Sequence, residues 1–309
     1  MTKVFIDGSA GTTGLRIYER LAERKDLELC TLSDELRKDP AARKEAICSA
    51  DIAFLCLPDA AAIEAVGLAG DAGTVIIDTS TAHRTAGGWT YGFPELKGLR
   101  EEIRGSKRIA NPGCHASGFL ALAAPLIEGG LLKKEAALTS FSITGYSGGG
   151  KKMISEYEAP EGRDPLYDAP RQYGITQMHK HLPEMQKVSG LVKAPVFCPV
   201  VADYYSGMEV TIPVFADDLT AGMDEICAFY KEYYKGGDLV RYEDSAGFGG
   251  FISAAAMKGR DDMLVTVTGN SERILLISLF DNLGKGASGA AIQNMNIVMG
   301  VPETTGLVL

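Results

Sequence analysis

Basic residues are in short supply: 31 Lys and Arg face 40 Asp and Glu over 309 residues, for a formal net charge of -9. Affinity for a nucleic-acid backbone comes largely from Lys and Arg, so no nucleic-acid partner is expected and small molecules are the natural ligands. Long apolar runs are missing as well. No stretch of 18 or more apolar residues occurs, which excludes an ordinary transmembrane helix. Met1-Thr2-Lys3 leads straight into an apolar segment, without the charged region, apolar stretch and cleavage site of a signal peptide. A cytoplasmic protein with no membrane association is expected. The six cysteines (Cys30, Cys48, Cys56, Cys114, Cys198, Cys227) show no CxxC spacing, unlike a disulfide framework or a zinc site. Reduced thiols and no metal follow. Histidine is rarer still, with four residues, two of which, His179 and His181, are separated by a single lysine.

At about 100 to 200 residues per domain, the chain length predicts two domains. Short apolar segments at Val4–Ile6, Leu27–Leu32, Ile52–Leu57, Val75–Ile77 and Arg108–Ala110 read as strands. Helical stretches at Leu15–Arg24, Ala41–Ala46 and Ala60–Leu68 alternate with them, which predicts an α/β Rossmann-type doubly wound parallel sheet. The turn Asn111-Pro112-Gly113 then leads to an apolar helix from about Ala116 to Ile127. Beyond it, strand-like segments at Thr139–Thr144, Ala194–Val201, Met208–Phe215 and Met263–Thr268 predict a mixed α+β domain. Helical signal returns at Ser288–Met299 and is expected to close back onto the first domain. The expected division is residues 1–114, 115–284 and a returning helix over 285–309.

Gly8-Ser9-Ala10-Gly11-Thr12-Thr13-Gly14 follows the first strand and opens the first helix. In a Rossmann fold that loop carries pyrophosphate: glycines let the backbone approach, and free N–H groups with the helix dipole favour negative charge. Ser9, Thr12 and Thr13 add hydroxyl donors. The spacing is G-x-x-G-x-x-G instead of the commoner G-x-G-x-x-G, so a purely structural turn is the competing reading. About 20 residues further on, Ser33, Arg37 and Lys38 suit a ribose 2′-phosphate and favour NADP, while Asp34 and Glu35 keep the choice from being clean.

Cys114 sits between a turn and a helix start, where amides and the helix dipole lower a thiol pKa. The other cysteines read as small buried hydrophobes. His179-Lys180-His181-Leu182-Pro183-Glu184 precedes a helix predicted to begin at Pro183 and offers a proton-transfer partner for the sulfur. Helix capping is the plainer reading of that pair, and a metal pair would need a third ligand that does not stand out. The tract Gly145 to Gly150 is followed at once by Lys151 and Lys152, which a bland linker does not need. Ser147, the glycine amides and Lys151 form a candidate oxyanion cradle, with Arg84 assisting.

Taken in order, Asp78–Arg84, Tyr91–Glu95, Asn111–Cys114, Gly145–Lys151, His179–Glu184 and Lys285–Asn294 resemble the short form of the N-acetyl-γ-glutamyl-phosphate reductase family along nearly the whole chain. The resemblance implies a Rossmann domain and a second domain with catalytic and oligomerisation surfaces, in a dimer or tetramer of identical chains. It implies NADPH as reductant, an acyl phosphate substrate, and a semialdehyde plus phosphate as products. Cys114 matches the family's nucleophile, His179 is assigned acid/base work and His181 support. Arg84, Asn111, Ser147, Lys151 and Glu184 are the implied substrate contacts. Gln293 is expected at the nicotinamide carboxamide. Competing readings are aspartate-semialdehyde dehydrogenase, a reductase of a carrier-bound aminoadipyl phosphate, whose basic docking surface the acidic net charge opposes, and an NADP-binding sensor, which would need no Cys/His pair.

Overall fold

In the computed structural model, which describes residues 1–247 and 249–309, the alternating segments of the first third form a six-stranded parallel sheet. Its elements are β1 (Thr2–Asp7), α1 (Thr12–Leu21), β2 (Leu27–Cys30), α2 (Pro40–Ser49), β3 (Ile52–Leu55), α3 (Asp59–Ala69), β4 (Val75–Asp78), β5 (Thr90–Tyr91), α4 (Leu99–Gly105) and β6 (Arg108–Ala110). The strand order is β2-β1-β3-β4-β6-β5. Both faces are covered, so the strands read as continuous apolar runs and not as alternation. On one face Val4, Ile6, Phe54 and Ile77 pack with Ile17 and Leu21 of α1 and with Ala291, Ile292 and Met295 of the C-terminal helix Gly289–Met299. On the other, Phe5, Ala53, Leu55 and Ile76 meet Ile47 of α2 and Ala65 and Ala69 of α3. Successive residues of one strand thus serve opposite layers. Because β1 lies between β2 and β3 while α1 and α2 cover opposite faces, the C-terminal end of β1 is a topological switch point, where such sheets bind ligands.

These elements form one compact unit, made of Met1–Pro94, Gly98–Gly113 and Ala287–Leu307; Glu95–Lys97, Cys114–Gly286 and Val308–Leu309 form a second. The second unit contains α5 (Cys114–Glu128), β7 (Thr139–Gly145), α6 (Gly150–Tyr157), β8 (Arg171–Gln172), α7 (Leu182–Ser189), β9 (Val196–Ala202), β10 (Met208–Phe215), α8 (Met223–Tyr233), β11 (Val240–Tyr242), β12 (Met263–Gly269) and β13 (Arg273–Phe280). Its mixed sheet runs β11-β12-β13-β10-β7-β9-β8. The sequence reading assigned no element to Arg273–Phe280, which pairs with β10 over its whole length and with β12 from Ile274 to Phe280. Asn270 closes the β12–β13 turn by accepting from the amides of Glu272 and Arg273.

Helix α5 is apolar all round and buried from His115 to Leu126. It contains Pro125, which has no N–H to give the carbonyl of Ala121 four residues earlier. The helix runs on regardless because the Tyr234 hydroxyl donates to that carbonyl at 2.6 Å, and the Tyr230 hydroxyl donates to Leu122 beside it. No helix among the described residues is long and apolar enough to cross a membrane.

Candidate active site

In the first unit, the glycine loop leaves β1 after Asp7. Gly8 has φ +84°, a left-handed conformation, and a Cβ there would lie 2.3 Å from the carbonyl oxygen of Cys56. A Cβ on Gly14 would lie 2.4 Å from the carbonyl oxygen of Gly8, so both glycines are needed for the loop to fold onto β3 and for α1 to approach the loop. Gly11 donates to the Gly8 carbonyl at 2.9 Å and stands at the cap of α1 with no side chain bonded to its first amides. Thr12 and Thr13 begin that helix. Free amides at a helix start of this kind favour negative charge.

A cleft of about 400 Å³ opens at this switch point, lined among others by Gly8, Ser9, Asp34, Arg37, Lys38, Arg43 and Leu57. It brings Gly8 and Ser9 together with Arg37 and Lys38, the charges a ribose 2′-phosphate would meet. Ser33 is not on the lining; its carbonyl accepts from the Arg37 amide, and its hydroxyl holds the Glu35 carboxyl below its usual range. Asp34 pairs with Arg37 at 3.1 Å in the open.

Arg43 and Asp7 escaped the sequence reading. Arg43 is buried on the floor of the cleft, donating from Nε to Asp7 at 3.0 Å, from Nη1 to Glu64 at 2.7 Å and from Nη2 to the Ala61 carbonyl at 3.2 Å. Burial raises the Asp7 carboxyl above its ordinary value, against the pull of Arg43. The available signal was helical spacing: Arg43 and Ile47 are the buried stripe of α2. Gln293 is fully buried and its Nε2 donates to Glu303 at 2.9 Å, the carboxylate that also holds Arg100.

Arg84 and Asn111 are bonded to each other in this unit. Arg84 donates from Nε to the Asn111 carbonyl at 2.9 Å and from Nη2 to the Thr79 carbonyl at 3.1 Å. The Asn111 side chain donates to the Ala287 carbonyl at 3.0 Å and accepts from Asn294 at 3.2 Å. Both residues hold the end of β6 in place.

In the second unit, half-buried Cys114 is the first residue of α5. A Cβ on Gly286 would lie 2.9 Å from the Cβ of Cys114, so the backbone passes directly against the cysteine. Next to it, His115 makes two short bonds, Nδ1 to Ser142 Oγ at 2.7 Å and Nε2 to Tyr173 Oη at 2.6 Å. Burial, with the charge of His179 as the lesser cause, pushes the His115 imidazole down to about 3. His115 is therefore neutral at physiological pH. The sequence reading gave His115 no role; its position beside Cys114 was the signal.

His179 and His181 pack edge to face, with ring centroids 4.7 Å apart and 5.8 and 5.5 Å from His115. The backbone N–H of His181 donates to Nδ1 of His179 at 3.3 Å, which leaves the proton of the neutral His179 ring on Nε2. His181 caps α7, with Nε2 4.0 Å from the buried Glu184 carboxylate in the first turn. The helix begins at Leu182, one residue before Pro183.

The glycine tract is no linker. It ends β7 and turns through Tyr146–Gly149 directly into α6. Ser147 is buried, and its hydroxyl accepts from Asn282 at 3.0 Å. Lys151 is exposed in the first turn of α6. No group of three or more metal-ligating side chains occurs among the described residues.

A profile described as semialdehyde dehydrogenase, NAD binding domain, matches residues 3–106, and one described as semialdehyde dehydrogenase, dimerisation domain, matches residues 114–282. The chain is 44% identical over 318 aligned positions to N-acetyl-gamma-glutamyl-phosphate reductase 2 of Nostoc sp., covering 99% of each. It is 43% identical over 306 positions to N-acetyl-gamma-glutamyl-phosphate reductase of Sinorhizobium medicae, covering 96% of this chain and 98% of that one. Among solved structures, aspartate semialdehyde dehydrogenase II of Vibrio cholerae complexed with ASA aligns with a TM-score of 0.73 at 18% identity, over 97% of this chain and 98% of that one. Aspartate semialdehyde dehydrogenase with NADP from Candida albicans aligns at 0.70 and 16% identity, over 97% and 98%. At that identity the structures speak for the fold alone, whereas the sequence relatives match across both units at more than 40% identity: the chain belongs to the N-acetyl-gamma-glutamyl-phosphate reductase family of the semialdehyde dehydrogenases.

Proposed function

We propose that the chain reduces N-acetyl-γ-glutamyl phosphate to N-acetylglutamate semialdehyde and inorganic phosphate, with NADP(H) as cofactor and a thioester on Cys114, as a step of arginine biosynthesis. The observation that carries the residue assignment is the gathering of His179 and His181 around the first turn of α5, where Cys114 begins the helix. The helix N-terminus favours the thiolate. Its sulfur attacks the acyl carbon, and phosphate departs with the electron pair of the broken C–O bond. NADPH, when bound, supplies the hydride that reduces the thioester carbonyl. His179, with its proton on Nε2, gives that proton to the oxygen as negative charge gathers there. It takes the proton back when the carbonyl re-forms and the thiolate leaves. His181 and Glu184 fix the segment that carries it.

Ser9, the first amides of α1, Arg37 and Lys38 would hold the cofactor phosphates; the cleft has the size and the basic rim for them. Ser147 and the glycine amides, with Lys151, are the proposed phosphate contacts of the substrate. The chain is further proposed to act as a homo-oligomer, a dimer or tetramer. One face of the second sheet exposes Phe141, Val196, Phe215 and Leu275, and an apolar face of that extent calls for a partner surface.

The decisive assay is phosphate-dependent oxidation of N-acetylglutamate semialdehyde and of aspartate semialdehyde under NADP+. Strong preference for the first supports the proposal. Preference for aspartate semialdehyde transfers the chain to that activity, and cofactor binding without turnover of either would make it a sensor.

A further inference from the structure

Ser142 on β7 is fully buried. Its hydroxyl has a single hydrogen-bond partner among the described residues, Nδ1 of His115 at 2.7 Å. A buried O–H left without an acceptor is costly, so Ser142 donates to Nδ1. A neutral imidazole that accepts at one nitrogen donates at the other. The His115 Nε2–H therefore points to the Tyr173 oxygen, 2.6 Å away, and the phenol's own proton is turned away from the ring. The phenol is bonded to the residue that follows Cys114 at the start of α5, and burial, with the charge of Cys114 as the lesser cause, raises its pKa. It therefore stays protonated throughout the working range. A phenolic O–H beside a thiolate, with its oxygen already used as acceptor, has the sulfur as its natural target.

We propose that Ser142 and His115 orient the Tyr173 hydroxyl as a hydrogen-bond donor to the sulfur of Cys114, so that Tyr173 is a further catalytic residue and His115 its positioning residue. The donor holds the thiolate before attack and steadies the sulfur as leaving group when the aldehyde forms. The inference rests on Cys114 being the nucleophile. The titratable groups gathered at the first turn of α5 are His115 on α5, Tyr173 after β8, His179 and His181 ahead of α7, and, beside His181, Glu184 on α7. Phe197 of β9 fills the remaining side with a ring 5.1 Å from His115.

The test reads the thiol directly. The pH dependence of iodoacetamide alkylation is followed at the Cys114 peptide by mass spectrometry, in the whole protein, with NADPH affinity as the check on folding. Tyr173→Phe is expected to raise the alkylation midpoint by about 1 to 2 pH units, the tenfold to hundredfold loss of thiolate that one charge-assisted bond sustains. His115→Phe gives a shift in the same direction, His115→Gln restores most of it because an amide also accepts and donates, and Ser142→Ala gives a smaller one. An unchanged midpoint in folded Tyr173→Phe overturns the proposal. A shift in Tyr173→Phe with none in His115→Phe overturns the positioning role alone. If Cys114→Ser still turns over, the nucleophile assignment fails, which the alkylation curves neither require nor conceal.

Discussion

The hydroxyl of Tyr234 donates to the carbonyl oxygen of Ala121, the one carbonyl of α5 that Pro125 deprives of its helical partner. The helix that carries Cys114 at its start is thereby kept continuous through a proline by a tyrosine 113 residues away in the chain. Tyr234→Phe keeps the packing and leaves that carbonyl unsatisfied. It is expected to destabilise the protein by about 1–3 kcal/mol, read as a lower denaturant midpoint with unchanged NADPH affinity. A neutral result would mean that water reaches the carbonyl.

Cys114→Ser is expected to abolish turnover while cofactor affinity is kept, because a hydroxyl is a poor nucleophile at neutral pH and the glycine loop is untouched. Substantial activity in the purified, folded variant would exclude the thioester. Cys56 serves as a control: burial pushes its thiol up to about 12, so Cys56→Ala leaves the chemistry intact.

The double variant Arg37→Ala, Lys38→Ala is expected to weaken NADPH by about 10- to 100-fold, the scale of one or two charge-assisted bonds, and NADH much less. Titration of both cofactors by fluorescence decides it. Equal losses would assign these residues to general charge, and a retained preference for NADPH would move the phosphate site elsewhere in the cleft.

His179→Asn is expected to slow single-turnover reduction of the acyl intermediate by about 100-fold or more, and His181→Asn to cost less, since it stands at the start of α7 with its ring beside Glu184. The reverse order, with substrate binding unchanged, would exchange their roles.

His115 predicts a pH signature. Its folded pKa is depressed from 6.5 to about 3, so between those values the unfolded chain binds the proton and the folded one does not. Stability from this residue is full above about pH 6.5 and is lost as the pH falls, by about 2 kcal/mol at pH 5. Urea unfolding at pH 7.5 and pH 5 measures it, and His115→Gln flattens the difference. An equal pH slope in both proteins would show that the ring protonates freely.

The layered sheet was legible because buried parallel strands are short and apolar on both faces; Ile52–Leu55 needed nothing else. Arg273–Phe280 is equally apolar; it forms a hairpin with β12 through the Asn270 turn, and its other edge is set by β10, a partner distant in the chain. At the candidate site, residue types and their spacing were visible, and bonding states were not. A sequence shows Asn111, Arg84 and Gln293 as polar groups near a motif. Only the fold shows that their donors are engaged by Ala287, Asn111 and Glu303. The neutrality of His115 is hidden for the same reason, since it follows from burial among residues of β7 and of the segment after β8.

The parallel sheet begun by β1 takes Ala291, Ile292 and Met295 over one of its faces from the far end of the chain. During synthesis, the unit that starts first is consequently sealed late, because Val4, Ile6, Phe54 and Ile77 wait for a helix that leaves the ribosome after Cys114–Gly286 of the second unit. A nascent chain stopped anywhere before residue 287 carries an open apolar sheet face, and its protection until release falls to chaperones.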